Sequence, residues 1–327
     1  QDITKNYNNQ EAILVIDELL GIDFKNAVLF TENSDITLSY NKKSVAKITE
    51  SKATKSLIEF QHNKVKKRLI DTQNNIYLEK LGVINSDGVT VNSKVGKLRQ
   101  IHKFIETLSC SIQQSSFINK DSVSVTDMGS GKGYLTFAVY DYIKNILGKN
   151  VCVNGIEYRK DLVEICNDIA LECCFDDLSF IEGTIQDSQL IDNDILIALH
   201  ACDTATDDAI HKGITSESEL IILSPCCHKQ IRKEITSSEG LESVIQHGIF
   251  KERQAEMITD TLRGLIMELH GYKTKIFEYI SDEHTHKNIM IVGIKHNNKI
   301  KTEEITKKIQ DLKNMFGIDN VYLENLL

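Results

Sequence analysis

Asp127-Met128-Gly129-Ser130-Gly131-Lys132-Gly133 is the stretch on which the reading of this chain turns. Val123-Ser124-Val125-Thr126 runs into it as a short strand, and Tyr134 to Leu147 follows with apolar residues at helical spacing. The strand thus ends in an acid and hands three glycines to the start of a helix. Missing Cβ atoms let the backbone turn tightly and approach a ligand closely. Two nucleotide loops with similar glycines are excluded. A dinucleotide fingerprint needs a third glycine where Tyr134 stands. A P-loop needs a hydroxyl residue after the lysine and a glycine five residues before the G-K pair; Gly133 and Thr126 occupy those places.

Outward from this loop, strands and helices alternate. Val151 to Glu157, Leu178 to Glu182, Asp194 to His200 and Glu219 to Ser224 read as further strands. Lys160 to Leu171 and Thr204 to Ile214 read as the helices between them. The last two strands are almost wholly apolar, which suits a parallel sheet covered on both faces. A long helix, Lys251 to His270, is closed by Gly271, and Lys273 to Ile280 and Asn288 to Lys295 form a terminal pair. The pattern predicts an α/β fold: a Rossmann-like, doubly wound, mostly parallel seven-stranded sheet. We place this domain at 95–297, entered through a helix from Val95 to Cys110. Residues 1–94 read as a smaller α+β accessory module, with a helix at Glu11 to Leu20 and strands at Ala27 to Phe30 and Ile36 to Tyr40. Lys55 to Asp71 reads as a lysine-rich helix, and 298–327 as a helical tail packed on the surface.

Composition bounds the function. Hydrophobic residues make up 41% of 327 residues, enough for a sizeable core. No run is apolar and long enough to span a membrane, and no signal peptide is read. Eight irregularly spaced cysteines read as reduced thiols in a cytoplasmic setting. The net charge is −9, yet residues 40–103 hold fourteen Lys and Arg against five Asp and Glu, a local excess of +9. An acidic chain with one basic segment points to a local anionic partner.

The D-x-G-x-G-x-G pattern resembles motif I of class I S-adenosylmethionine-dependent methyltransferases. The resemblance implies that Asp127 shapes the loop and contacts the methionine part of the cofactor, with Gly129, Gly131 and Gly133 lining it. Gly155-Ile156-Glu157-Tyr158 supplies the acid such a site needs after its second strand. There Glu157 would accept the ribose hydroxyls and Tyr158 would lie along the adenine. Thr184 and Ile185, after the third strand, fall where the family contacts the adenine; a plain loop is the competing reading.

The fourth strand ends in Ala198-Leu199-His200-Ala201-Cys202-Asp203 and the fifth in Ser224-Pro225-Cys226-Cys227-His228-Lys229. The only proline of the chain is Pro225, which restricts its neighbour and stops the ladder. These motifs resemble a methyltransferase subgroup that includes the tRNA acceptor-stem ribose methyltransferases. Asp203 and Lys229 depart from that subgroup's glycine and second histidine. His200, Cys226, Cys227 and His228 are the catalytic candidates, with His200 also facing the cofactor. The histidines are the possible bases for a hydroxyl nucleophile; a satisfied structural histidine is the competing reading for both His200 and His228. His200, Cys202, Cys226, Cys227 and His228 are also metal-ligand types, but C-C-H lacks the spacing of a zinc clip, and no metal is assigned. Buried thiols packing as small hydrophobes are the competing reading for Cys226 and Cys227.

Three further features complete the reading. Lys97 and Gln100, in a K-x-x-Q-I run resembling that subgroup's, are candidates to hold the cofactor's carboxylate, with a solvated helix face as the alternative. Lys64, Lys66, Lys67 and Arg68 are candidates for RNA phosphate contacts, with a solvated helix face as the alternative. Asp260 and Arg263 are three apart and expected to pair locally, and Asn288 to sit in a turn. The expected activity is S-adenosylmethionine-dependent methylation of RNA. A small-molecule or protein substrate, or a non-catalytic binding module, is the alternative.

Overall fold

Strands of near-continuous apolar residues need cover on both faces, and the computed structural model supplies it. It describes residues 5–41, 43–54, 68–190, 192–199, 201–236, 242–280 and 288–327. The chain divides into two compact units, 1–66 and 67–327.

In the smaller unit, helix α1 (Asn9–Leu19) starts at a reciprocal capping box between Asn8 and Glu11. Strands β1 (Asn26–Phe30), β2 (Ser34–Tyr40) and β3 (Ala46–Lys52) form an antiparallel sheet in that order. The sequence pattern does not mark β3. Every residue of β3 is exposed, so it carries no buried face for a period of two to reveal.

The larger unit begins with α2 (Ile76–Lys80) and α3 (Val95–Gln114). Then follow β4 (Ser122–Met128), α4 (Tyr134–Asp141), β5 (Asn150–Glu157), α5 (Lys160–Glu172), β6 (Leu178–Glu182), β7 (Ile195–Leu199), α6 (Thr204–Thr215) and β8 (Leu220–Ser224). Helices α7 (Lys229–Glu234), α8 (Glu242–Ile245) and α9 (Gly248–Leu269) lead to strands β9 (Tyr272–Glu278) and β10 (Ile289–Lys295). Helices α10 (Thr302–Phe316) and α11 (Tyr322–Leu326) close the chain.

The seven strands lie in the order β6-β5-β4-β7-β8-β10-β9. The first five are parallel; β10 runs antiparallel to both β8 and β9. This is the mostly parallel, doubly wound α/β sheet that the alternation predicts. Strand order reverses at β4, with β5 to one side and β7 to the other. Ligands of such sheets sit beyond the carboxyl ends at that point.

Alternation along each strand feeds two cores. Ile195, Ile197 and Leu199 enter one, with Ile101, Phe104, Phe137 and Cys166 from α3, α4 and α5. Leu196 and Ala198 enter the other, with Ile210, Ile258 and Leu262 from α6 and α9.

Three expectations meet a different arrangement. Residues 68–94 pack with the larger unit, where Tyr77 stacks on Phe137 at a centroid distance of 5.6 Å. The accessory segment expected to run to residue 94 therefore separates as a compact unit only to residue 66. The tail is not simply laid on the surface: Ile305, Ile309 and Phe316 of α10 are buried in the second core. The helix expected to run from Tyr134 to Leu147 changes to π winding over Tyr142–Ile146. No described helix is long and apolar enough to cross a membrane.

Candidate active site

Asp127, at the carboxyl end of β4, is buried and accepts a 2.6 Å hydrogen bond from Thr136 Oγ1 of α4. Burial pushes its carboxyl up to about 6, with the Thr136 bond opposing and the Glu157 charge adding to the rise. The loop beyond it is folded against β5: the N–H groups of Gly129 and Ser130 both donate to the Ile156 carbonyl, at 2.8 and 2.9 Å.

The three glycines have different reasons to be glycine. Gly129 lies at φ +80°, and a Cβ there would point into open space. Gly133 lies at φ +70°, and its Cβ would stand 2.8 Å from Phe180 and 3.0 Å from Phe137. The first leaves room for a ligand, and the last is required by packing. A Cβ on Gly131 would come no nearer than 3.8 Å to Arg159.

Glu157 ends β5. Its Oε2 accepts from the Gly131 N–H at 2.8 Å, and its Oε1 from the N–H and Nε–H of Arg159 at 3.0 and 2.9 Å. Burial acts to raise its pKa, but the bonds and charge of Arg159 outweigh it and hold the carboxylate below the usual range. The Arg159 side chain is 57% exposed, so it can move aside for a ribose diol.

Beside them is a cleft of about 350 Å³, whose lining includes neither Glu157 nor Gly133; Glu157 reaches it through its partners Gly131 and Arg159. Asp127, Gly129, Gly131, Lys97 and Gln100 lie on it, as do Ser130, Lys132 and Arg159. Lys97 Nζ donates to Gln100 Oε1 at 2.7 Å, and Gln100 Nε2 to the Tyr279 hydroxyl at 3.0 Å. Burial, with the charge of Lys94, lowers the pKa of Lys97. Its ammonium stands 5.2 Å from the ring centroid of Tyr134, within cation–π range.

The donor set fits S-adenosylmethionine. Lys97 is a cation for the cofactor's carboxylate, Asp127 an anion for its ammonium, and Glu157 an acceptor for its ribose hydroxyls. Ser130 Oγ, on the cleft lining, is buried and has no partner among the described residues. A polar ligand would satisfy it. When bound, this cofactor supplies a methyl group already activated on sulfur, so the protein's task is to orient the acceptor and exclude water.

Other expected residues stand elsewhere. Tyr158 is 76% exposed and is not on the cleft. Thr184 and Ile185 are not on it either. Thr184 Oγ1 donates to Asp187 and accepts from its N–H, in a local turn. Ile185 packs against the second core. His200, Lys64, Lys66 and Lys67 lie outside the described residues, and Arg68 is 3.7 Å from Glu106.

Beyond β7 and β8 the structure assembles a second cluster. Cys202 Sγ is 3.4 Å from Cys226 Sγ, which is 3.6 Å from Cys227 Sγ. Burial and the two neighbouring thiols push Cys226 up to about 12. Cys226 and Cys227 are half-buried thiols and do not line the cleft. His228 is not on the cleft, and its surroundings fit the structural reading that competes with the catalytic one. It is 3% exposed, bonded through Nε2 to Asp260 at 3.1 Å, and its Nδ1 is buried without a partner among the described residues.

Arg263 anchors this region. It holds Asp207 through two bonds, Nε to Oδ1 at 2.8 Å and Nη2 to Oδ2 at 3.1 Å. It also donates to Asp260 at 3.2 Å and to the Asp203 carbonyl at 2.9 Å. The expected local pairing of Asp260 and Arg263 is thus one arm of a buried network tying α9 to α6 and the end of β7. Asn288 is buried rather than in an open turn, and donates to the Ile280 carbonyl at 2.8 Å.

Sequence reasoning missed Ser130, Lys132 and Arg159 as cleft residues and Asp207 as the partner of Arg263. Ser130 and Lys132 stand inside the glycine loop itself, where position alone marks them. Arg159 is two residues past Glu157, where its backbone N–H already reaches the carboxylate.

Residues 96–234 match the model of a family described as a methyltransferase domain. No curated protein matches the chain. Solved structures with a similar fold include magnesium protoporphyrin IX methyltransferase from Synechocystis PCC 6803 with bound SAH. It shares 14% identity over 69% of this chain and 97% of its own, at TM-score 0.40. M. jannaschii TYW2 in complex with AdoMet shares 14% over 59% and 74%, at 0.34. An rRNA methylase from Streptococcus thermophilus shares 10% over 54% and 89%, at 0.35. Likeness at these scores is no guide to substrate. The domain match spans the glycine loop and both strand-end clusters, on a sheet whose switch point holds a cleft of the fitting donor set. Residues 96–234 thus carry a match to a methyltransferase domain, on a fold and at a cleft whose donor set fits S-adenosylmethionine.

Proposed function

We propose that the substrate is RNA, tRNA or rRNA. The observation that carries this reading is charge placement: residues 40–103 hold a net +9 in a chain of net −9. Such an excess is what phosphate binding requires and what a small neutral substrate does not. The strand-end motifs, with their resemblance to tRNA ribose methyltransferases, point the same way. Lys97, at the cleft, and Lys94, 6.0 Å from the Tyr134 ring centroid, belong to the same segment.

The cofactor would occupy the cleft, with the transferred methyl group toward the ends of β4 and β7. His200 follows Leu199, the last residue of β7 and a cleft residue, and is the proposed base for a hydroxyl nucleophile. His228 and Asp260 would hold the β8 end in place. Lys64, Lys66, Lys67 and Arg68 would hold phosphates.

The test is methyl transfer from labelled cofactor into fractionated cell extract. Label in ribonuclease-sensitive material is the expected result. Label that survives ribonuclease and is lost to protease, or that appears in small molecules, would refute RNA as substrate. Reversing the charge of Lys64, Lys66, Lys67 and Arg68 should then weaken RNA binding and flatten its salt dependence. On single strands the log–log slope should fall by roughly 0.7 for each phosphate no longer neutralised.

A further inference from the structure

Three thiols from two strand ends converge at one point. Cys202 is three residues past the end of β7, and Cys226 and Cys227 follow Pro225 at the end of β8. The two strands are parallel neighbours, with Leu199 paired to Ser224, so both loops leave the sheet side by side. The three sulfur atoms all lie within 4.8 Å of one another.

We infer that Cys202, Cys226 and Cys227 bind a single thiophilic closed-shell cation, with Zn²⁺ the expected ion. The spacing is the first reason. Zinc–sulfur bonds of about 2.3 Å in a tetrahedron put neighbouring sulfurs about 3.8 Å apart. The separations of 3.4 and 3.6 Å need only a small opening to accept the ion. The chemistry is the second: three sulfur donors with no carboxylate among them select Zn²⁺ or Cu⁺ over Mg²⁺ or Ca²⁺. Access is the third. Cys202 is exposed while Cys226 and Cys227 are half-buried, so the group is open on one side. Thiols serving only as small hydrophobes would be expected in the core, as Cys166 is.

The missing C-x-x-C spacing, which argued against a metal in the sequence, loses its force here. A clip built across two strands needs no such spacing within either. Ligation replaces each S–H bond by a sulfur–metal bond and releases one proton per thiol, up to three in all. No electron moves. The ion would join the ends of β7 and β8, with a fourth ligand completing its tetrahedron.

The test uses the full chain, purified under reductant without chelator, with bound metal measured by elemental analysis. Chelator-stripped protein is then titrated with Co²⁺. About one equivalent of zinc or copper per chain is expected, the bound ion telling the two apart. Co²⁺ should give the thiolate-to-cobalt charge-transfer band of a sulfur-rich tetrahedral site. Cys226→Ser should lose the band and bind at least about tenfold more weakly. Cys152→Ser, an exposed thiol on β5, should behave as the parent does.

Absence of both stoichiometric metal and a cobalt band would overturn the inference. So would a Cys226→Ser variant that binds Co²⁺ as the parent does, or a Cys202–Cys226 disulfide under reductant. Should Cys226→Ser fail to fold, alkylation of the parent gives the answer instead. Zn²⁺ should protect Cys202, Cys226 and Cys227 but not Cys152 from iodoacetamide, and equal labelling with and without zinc would refute the site.

Discussion

At the ends of β4 and β5, the groups that face the cleft come mostly from one short run, 127–132, with Arg159 beside it. They are held by backbone: N–H groups of the loop bond the Ile156 carbonyl and the Glu157 carboxylate. At the ends of β7 and β8, the groups come from residues as far apart as Cys202 and Arg263. They are held by side chains, through the buried Asp207–Arg263–Asp260–His228 chain. The first region is built to bind, and its hold on a ligand can weaken while the fold stays intact. The second is tied into the core, and its polar groups have nowhere else to find partners. Damage to the two should therefore separate: loss of affinity in one, loss of stability in the other.

The largest effect should come from the second region. Arg263→Leu leaves Asp207 and Asp260 buried without their cation. It should cost about 3–5 kcal/mol, read as a shift in the denaturation midpoint. A shift no larger than that of a surface substitution would mean that the network does not hold the strand ends.

Asp127→Asn should act oppositely on the two properties. The folded-state pKa of Asp127, about 6, is raised from an ordinary 3.8, so ionising it in the fold is unfavourable. Its contribution to stability is therefore greatest at low pH and falls as pH rises from about 4 to about 6. The asparagine variant should lack this slope and be more stable above pH 6, by up to about 3 kcal/mol. It should also bind S-adenosylmethionine more weakly, since the ammonium loses its anion. In the parent, affinity should fall up to about tenfold per pH unit below 6. An affinity profile flat across pH 5–7 would contradict this role.

A smaller effect is expected at Lys97. Lys97→Ala removes the cation nearest Gln100 and should weaken cofactor binding about tenfold, with little change in denaturation midpoint. Unchanged affinity would assign the cofactor's carboxylate to Arg159 or Lys132 instead.

The same contrast explains what the sequence disclosed. The sheet was legible because its strands are continuously apolar and its helices carry one buried face. The cofactor loop was legible because backbone constraints write themselves as glycine and as an acid at a strand end. The partner of Arg263 was not, because pairing across 56 positions leaves no local signature. Nor was the choice between the two readings of His228, since a histidine after a strand looks the same whether it faces a cleft or an aspartate. The convergence of Cys202 with Cys226 follows once the two strand ends adjoin, which the pairing of Leu199 with Ser224 supplies. The buried face of α10 shows the limit of charge as a guide: its exposed lysines and glutamates hide Ile305, Ile309 and Phe316.

The central claim is that the glycine loop holds S-adenosylmethionine, and calorimetric titration of the cofactor into the parent and Gly129→Asn tests it most directly. Asparagine tolerates the positive φ of this position, and its side chain would enter the open space that Gly129 leaves at the cleft. The account predicts one saturable site per chain in the parent. It predicts affinity lower by at least about tenfold in the variant, a loss of about 1.4 kcal/mol, at a nearly unchanged denaturation midpoint. No binding by the parent, or equal binding by both, would contradict it.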